Sequence, residues 1–222
     1  MKTKLALVTL AAFCLAPALA AQQQAPGRKV DTARAVYREL INLPDREVPK
    51  KLLESAPCIA VIPNVIKGAF FAGGRHGRGV MSCRDESGTW SPLAFVKLSG
   101  GSFGFQFGGQ STDLVLFFMT ERGVKSLLKS KFVLGGDASV AAGPLGRTAE
   151  IATDLRLGAE IYAYAKARGV FAGLSVQGAV LAPDQKWMSR YYGRRVGPED
   201  LLFEHSAPSS PTESEQFLAV LP

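Results

Sequence analysis

Histidine is nearly missing from this chain, with His76 and His205 the two examples in 222 residues. A zinc centre needs several ligands at ordered spacing, and neither histidine belongs to such a series. Cysteine is as scarce, with Cys14, Cys58 and Cys83 alone, which excludes a cysteine-dense scaffold. No Gly-x-Ser-x-Gly elbow occurs, because Gly109-Gln110-Ser111-Thr112-Asp113 lacks the closing glycine. No glycine cluster leads into Gly-Lys-Ser/Thr, so a phosphate loop is missing too. Gly135-Gly136-Asp137 and Gly143-Pro144-Leu145-Gly146 suit β-turns instead. Asp113, Asp137 and Asp154 stand beside expected strands without a base or ligand motif next to them. A catalytic centre would have to be gathered from the fold, for instance Asp113 or Asp154 with His76. These absences argue against an enzyme and give no ground for a metal or cofactor. No nucleic-acid reader motif is present either.

What is there begins at the N-terminus. Lys2 and Lys4 precede the apolar run Leu5 to Leu15, which is too short to span a bilayer, and Ala18-Leu19-Ala20 follows as a small-x-small cleavage site. Residues 1–20 therefore read as a signal peptide cut after Ala20, and the mature chain is expected to be periplasmic or secreted. Cys14 raises lipidation as an alternative, but Phe13 stands where a small residue is needed. No later segment is long and uncharged enough to be transmembrane. Without Lys2 and Lys4 the chain keeps 24 basic against 19 acidic residues, a net charge of +5 where the full sequence carries +7. That balance favours anionic partners such as lipid head groups. Cys58 and Cys83 remain, and an even count in an exported chain suggests one disulfide; two buried free thiols are the alternative.

Residues 21–29 read as a polar linker. Asp31 then caps a helix with Ala33, Val36, Leu40 and Leu43 at helical spacing, Arg34 and Arg38 lie on another face, and Pro44 ends it. A second amphipathic piece covers about Val48 to Ser55. From Cys58 the pattern turns to strands: Cys58 to Ile62, ended by Pro63-Asn64; Gly79 to Arg84 and Thr89 to Leu98 around a polar turn; Phe103 to Phe107; Asp113 to Met119. A helix over Glu121 to Ser130 is expected next. Phe132 to Ala142, Ala149 to Arg156, Glu160 to Ala167 and Gly169 to Gly178 form a second glycine-punctuated β series. The region 185–222 is an appendage, helical in parts, with Trp187, Tyr191 and Tyr192 as docking residues and a loose end beyond Pro208. The fold class is α+β and β-dominated: a curved antiparallel sheet or closed barrel, an N-terminal amphipathic helix and one or two packed helices.

Several ordered blocks between Cys58 and Asp184 carry a resemblance. They are Ile62-Pro63-Asn64-Val65-Ile66-Lys67-Gly68, Gly73-Gly74-Arg75-His76-Gly77-Arg78-Gly79-Val80, Trp90-Ser91-Pro92, Gly104-Phe105-Gln106-Phe107-Gly108, Ala141-Ala142-Gly143-Pro144-Leu145-Gly146-Arg147 and Arg168-Gly169-Val170-Phe171-Ala172-Gly173. In that order they resemble the SYLF lipid-binding domain family, whose fungal members are linked to actin, and the match spans residues 30–184. The chain looks like a bacterial exported member. The resemblance implies binding of phosphoinositides through basic residues and an N-terminal amphipathic helix. In an exported chain it implies other anionic phospholipids instead.

Carried over by position and chemistry, the lipid-binding candidates are Arg28, Lys29, Arg34, Arg38, Lys50, Lys51, Lys67, Arg75 and Arg78. A membrane-surface helix would bring an apolar face and cations to the head groups. The same helix face could instead simply pack on the sheet. An envelope scaffold or protein-interaction module, with a protein partner and no lipid binding, is the second reading.

Overall fold

In a computed structural model of the chain, the described residues are 25–43, 48–70, 72–102, 110–120, 124–125, 132–144, 159–167, 170–173, 176–209 and 211–222. The signal-peptide reading, Phe103 to Phe107, Ala149 to Arg156 and most of the helix expected over Glu121 to Ser130 lie outside them.

Helix α1 (Pro26–Ile41) starts five residues before Asp31, inside the stretch read as a linker. Proline fits the first helical position because the amide proton it lacks would have no partner there. Ala25 offers no capping side chain. Compensating charge comes from far along the chain: a Cβ on Gly27 would lie 2.7 Å from Glu213 Oε1, so that carboxylate sits at the positive end of the helix. Val30, Ala33, Tyr37 and Leu40 follow at intervals of three or four and are fully buried. Helix α2 (Lys50–Ser55) is short and buries Leu52.

The sheet holds β1 (Cys58–Phe70), β2 (Ala72–Cys83), β3 (Ala94–Ser102), β4 (Gln110–Phe118), β5 (Phe132–Val133), β6 (Val140–Ala142), β7 (Ile161–Ala167), β8 (Val170–Gly173) and β9 (Val180–Pro183). Their order is β5-β9-β3-β2-β1-β4-β7-β6, with β8 also paired to β7. Every described pairing is antiparallel except β6 with β7. The architecture is a curved, β-dominated sheet with a few helices, the α+β class expected. The single strand expected over Phe132 to Ala142 is two, because Gly135 (φ 83°) turns the chain between β5 and β6. Helices α3 (Gln185–Tyr192), α4 (Pro198–Leu202) and α5 (Thr212–Leu218) complete the described elements.

β1 does not stop at Pro63-Asn64 as expected. It crosses them by a β-bulge, in which Ile62 to Val65 oppose only Gly77 to Gly79 of β2. Proline is tolerated there because the ladder is interrupted and needs no donor. Asn64 takes the left-handed conformation (φ 55°), and its N–H donates to Asp113 Oδ1 at 2.9 Å.

One face of the sheet carries Ile59, Val61, Val80, Phe95, Phe117 and Tyr164 under the helices. Tyr37 of α1 meets Phe117 at 6.5 Å between ring centres, and Trp187 of α3 meets Phe95 at 5.8 Å. The other face buries Ala60, Ile62, Met81, Val96, Leu98, Leu114, Leu116 and Leu181. With both faces covered, Leu114 to Phe118 can be apolar throughout.

Cys58 and Cys83 are register partners on β1 and β2 and are joined by a disulfide. Replacing both by Ser should lower stability by roughly 3 kcal/mol through the freed unfolded chain. Urea denaturation measures this, and a midpoint equal to the parent's would mean the bond adds nothing.

The C-terminal region meets the sheet closely. Phe217 is fully buried and lies 6.4 Å from the ring of Tyr37, although a loose end was expected beyond Pro208. Trp90 Nε1–H donates to the carbonyl of Pro222 at 2.8 Å.

Candidate functional site

Side chains alternate along β2, so His76 and Arg78 point to the helical side and Arg75 to the other. Register places Ile66 opposite His76 on β1, and Ser99 and Lys97 opposite His76 and Arg78 on β3. The helical side of this sheet end therefore presents Ile66, His76, Arg78, Lys97 and Ser99 together.

Arg78 is held firmly. Its Nε donates to Asp184 Oδ2 at 2.8 Å, and its guanidinium lies 5.2 Å from the Trp187 ring. Asp184 is buried and caps α3, its other oxygen accepting from the Trp187 N–H at 3.3 Å. Lys29, in the first turn of α1, reaches the same region, with Nζ 3.5 Å from the Pro63 carbonyl. Burial holds its pKa below the usual lysine value; Asp113 pulls the other way and Arg78 adds to the lowering. The pKa of His76 is also held below its ordinary 6.5, first by partial burial and then by Arg78, with Asp184 opposing and Lys97 reinforcing.

The site thus gathers Lys29, Arg78 and Lys97, with a titratable imidazole, against Asp113 and Asp184. Both carboxylates already accept hydrogen bonds. Beside them Ile66 is 60% exposed, the one large apolar side chain so exposed among the described residues. Its cross-strand neighbours are His76 on β2 and Ser111 on β4, and the Arg78–Lys97 pair lies two positions further along β2 and β3.

The other sequence candidates are dispersed. Lys67 and Arg75 pair across β1 and β2 on the opposite face of the same sheet end, and Arg75 Nε is buried without a partner. Arg28 and Arg38 are exposed on α1. Arg34 is engaged by Asp31 at 3.3 Å and by Gln216 of α5. Lys50 and Lys51 are exposed on α2, next to the Cys58 end of β1. Ile66 is roughly 25 Å further along that strand at about 3.3 Å per residue. The apolar stripe of α1 is committed to the core, so packing on the sheet is the arrangement found.

Sequence reading missed Lys97 and Ile66, which gain meaning only from strand register. It also missed Lys186, Arg190, Arg194 and Arg195 on and after α3, all exposed, where the four-residue spacing was a readable signal. Asp113 spends an oxygen on the Asn64 backbone, and Asp154 lies outside the described residues. Among the described residues no three His, Cys, Asp or Glu side chains are grouped to hold a metal, and no helix is long and apolar enough to cross a membrane.

A family model described as "Ysc84: Las17-binding protein actin regulator" matches residues 99–222. The chain belongs to the Ysc84 family, the SYLF family of the sequence resemblance. The SH3 domain-containing YSC84-like protein 1 of Bos taurus is 33% identical over 181 residues, covering 81% of this chain and 52% of that protein. Its counterpart in Homo sapiens is 32% identical over 181 residues, with the same coverage of 81% and 52%. LAS seventeen-binding protein 3 of Saccharomyces cerevisiae is 37% identical over 152 residues, 67% of this chain and 33% of that one. The chain thus spans about half the length of its animal Ysc84 relatives or less. The family description is that of a binding domain.

Proposed function

We propose that this Ysc84-family chain is an exported, non-enzymatic domain that attaches peripherally to anionic phospholipid head groups. The carrying observation is exposed Ile66 opposite His76, on the same sheet face as Arg78 and Lys97, with Lys29 by the bulge and Lys67 and Arg75 on the face behind. Phosphates meet the cations while the isoleucine enters the head-group boundary. Arg28 and Arg38 add long-range attraction. Each cation near an anionic surface contributes on the order of 1 kcal/mol, and salt weakens it.

Co-sedimentation with phosphatidylglycerol vesicles, against phosphatidylcholine vesicles, tests this at low and moderate salt. Binding to the anionic vesicles alone, reduced by salt, is expected. The double variant Ile66→Asp with Lys97→Glu changes three units of charge and should weaken binding about a hundredfold. Both side chains are exposed, so its melting temperature should stay near the parent's. Undiminished binding by the folded variant would place attachment elsewhere.

A protein partner is the second reading, favoured by the relative named for binding Las17. It predicts indifference to both vesicle types and a specific crosslinked protein.

A further inference from the structure

The helical side of β2 and β3 has an order that a diffuse basic surface lacks. His76 and Arg78 are alternate residues of β2, about 7 Å apart along the strand, and Lys97 faces Arg78 about 5 Å across the ladder. Three nitrogen-bearing side chains thus rise from a triangle that one tetrahedral anion can span. Ser99, opposite His76, brings a hydroxyl to its rim. Arg78 is fixed in place by Asp184 and Trp187, so less of its freedom is lost on binding.

We propose that His76, Arg78 and Lys97 form a subsite for one phosphate group, and that His76 takes up a proton when the phosphate enters. This rests on the lipid reading above, which makes the occupant the phosphodiester of a head group. The groups acting on His76 are Arg78 on its own strand, Lys97 on β3 and Asp184 between β9 and α3; Lys29 and Asp113 stand further along, beside the bulge. In the empty site partial burial and the neighbouring cations disfavour the imidazolium and hold its pKa below the ordinary value. An entering phosphate reverses that balance, because its charge favours the imidazolium. The bound-state pKa therefore exceeds the free-state one, and binding consumes a proton. Affinity rises as pH falls through the bound-state value and levels off below the free-state value. The phosphodiester keeps its single charge across this range, so the dependence belongs to the protein.

The test measures binding to phosphatidylglycerol vesicles from pH 5 to 8.5 for the parent, His76→Asn, His76→Lys and the distant control His205→Asn. Parent and control should bind about fivefold more tightly at the acid end, the effect of one added charge near the surface. His76→Asn should bind with no such rise, and His76→Lys should hold the acid-end affinity throughout. In parallel, the His76 ring resonances are followed by NMR against pH, with and without glycerophosphoglycerol, the water-soluble head group. A raised His76 midpoint with this probe is expected. An unchanged midpoint, or an acid rise that survives in His76→Asn, overturns the subsite even where vesicle binding stands. A raised midpoint without vesicle binding keeps the subsite for a soluble phosphodiester and removes the lipid reading.

Discussion

Gly79→Ala is expected to cost more than 3 kcal/mol and to lower the melting temperature by about 10 °C, if the variant accumulates folded at all. A Cβ at this position would lie 2.0 Å from the Val61 carbonyl oxygen and 2.6 Å from Ile62 Cα. Those atoms are backbone and cannot rotate away. The crowding follows from the bulge, which leans the extra residue of β1 over β2 where Gly79 lies. Gly77→Ala is the informative companion. Its Cβ would meet Val65 Cγ2 at 2.8 Å and Ile62 Cγ2 at 3.0 Å, side-chain atoms that can shift. Thermal melts of the two variants should rank Gly79→Ala well below Gly77→Ala. Equal melts, or a Gly79→Ala protein as stable as the parent, would show that the strands do not approach as described.

Phe217→Ala should remove roughly 3–5 kcal/mol, the usual effect of emptying a fully buried phenylalanine site. Phe217 seats α5 against Tyr37, and the Tyr191 hydroxyl meets Ser214 Oγ at 2.9 Å beside it. Local and global consequences separate experimentally. A lower urea midpoint with a single transition would make α5 part of the cooperative core. An unchanged midpoint, with rapid proteolysis near Pro208 to Pro211, would make it a detachable cover. The first is expected, since α1 buries Tyr37 between Phe117 and Phe217.

The sequence disclosed those features whose cause is local. The apolar spacing in α1, the strand from Ile161 to Ala167 and the docking of Trp187 and Tyr192 were all legible, because periodicity and aromatic content decide them. The course of β1 through Pro63-Asn64 was not. A proline normally ends a strand, and only the distant Asp113 accepting the Asn64 N–H shows what replaces the lost pairing. Nor was the site fully legible. Arg78 was named from its glycine-rich block, but Lys97 and Ile66 join it through strand register, which no single-sequence pattern fixes. Lys50 and Lys51 lie close to the other cations in sequence, yet the length of β1 separates them from Ile66.

The burial of α1 has a consequence in time. Emerging first among the described elements, this helix finds its aromatic partners 80 and 180 residues later, at Phe117 and Phe217. Contacts so remote in sequence form slowly, since a long loop must close before any of them stabilises the structure. Part of the stripe packs against β1 and β2, which follow it closely in the chain, but Tyr37 lacks its second ring partner until α5 has been made. Until α5 arrives, one side of the Tyr37 ring is open to any holdase that keeps the chain unfolded.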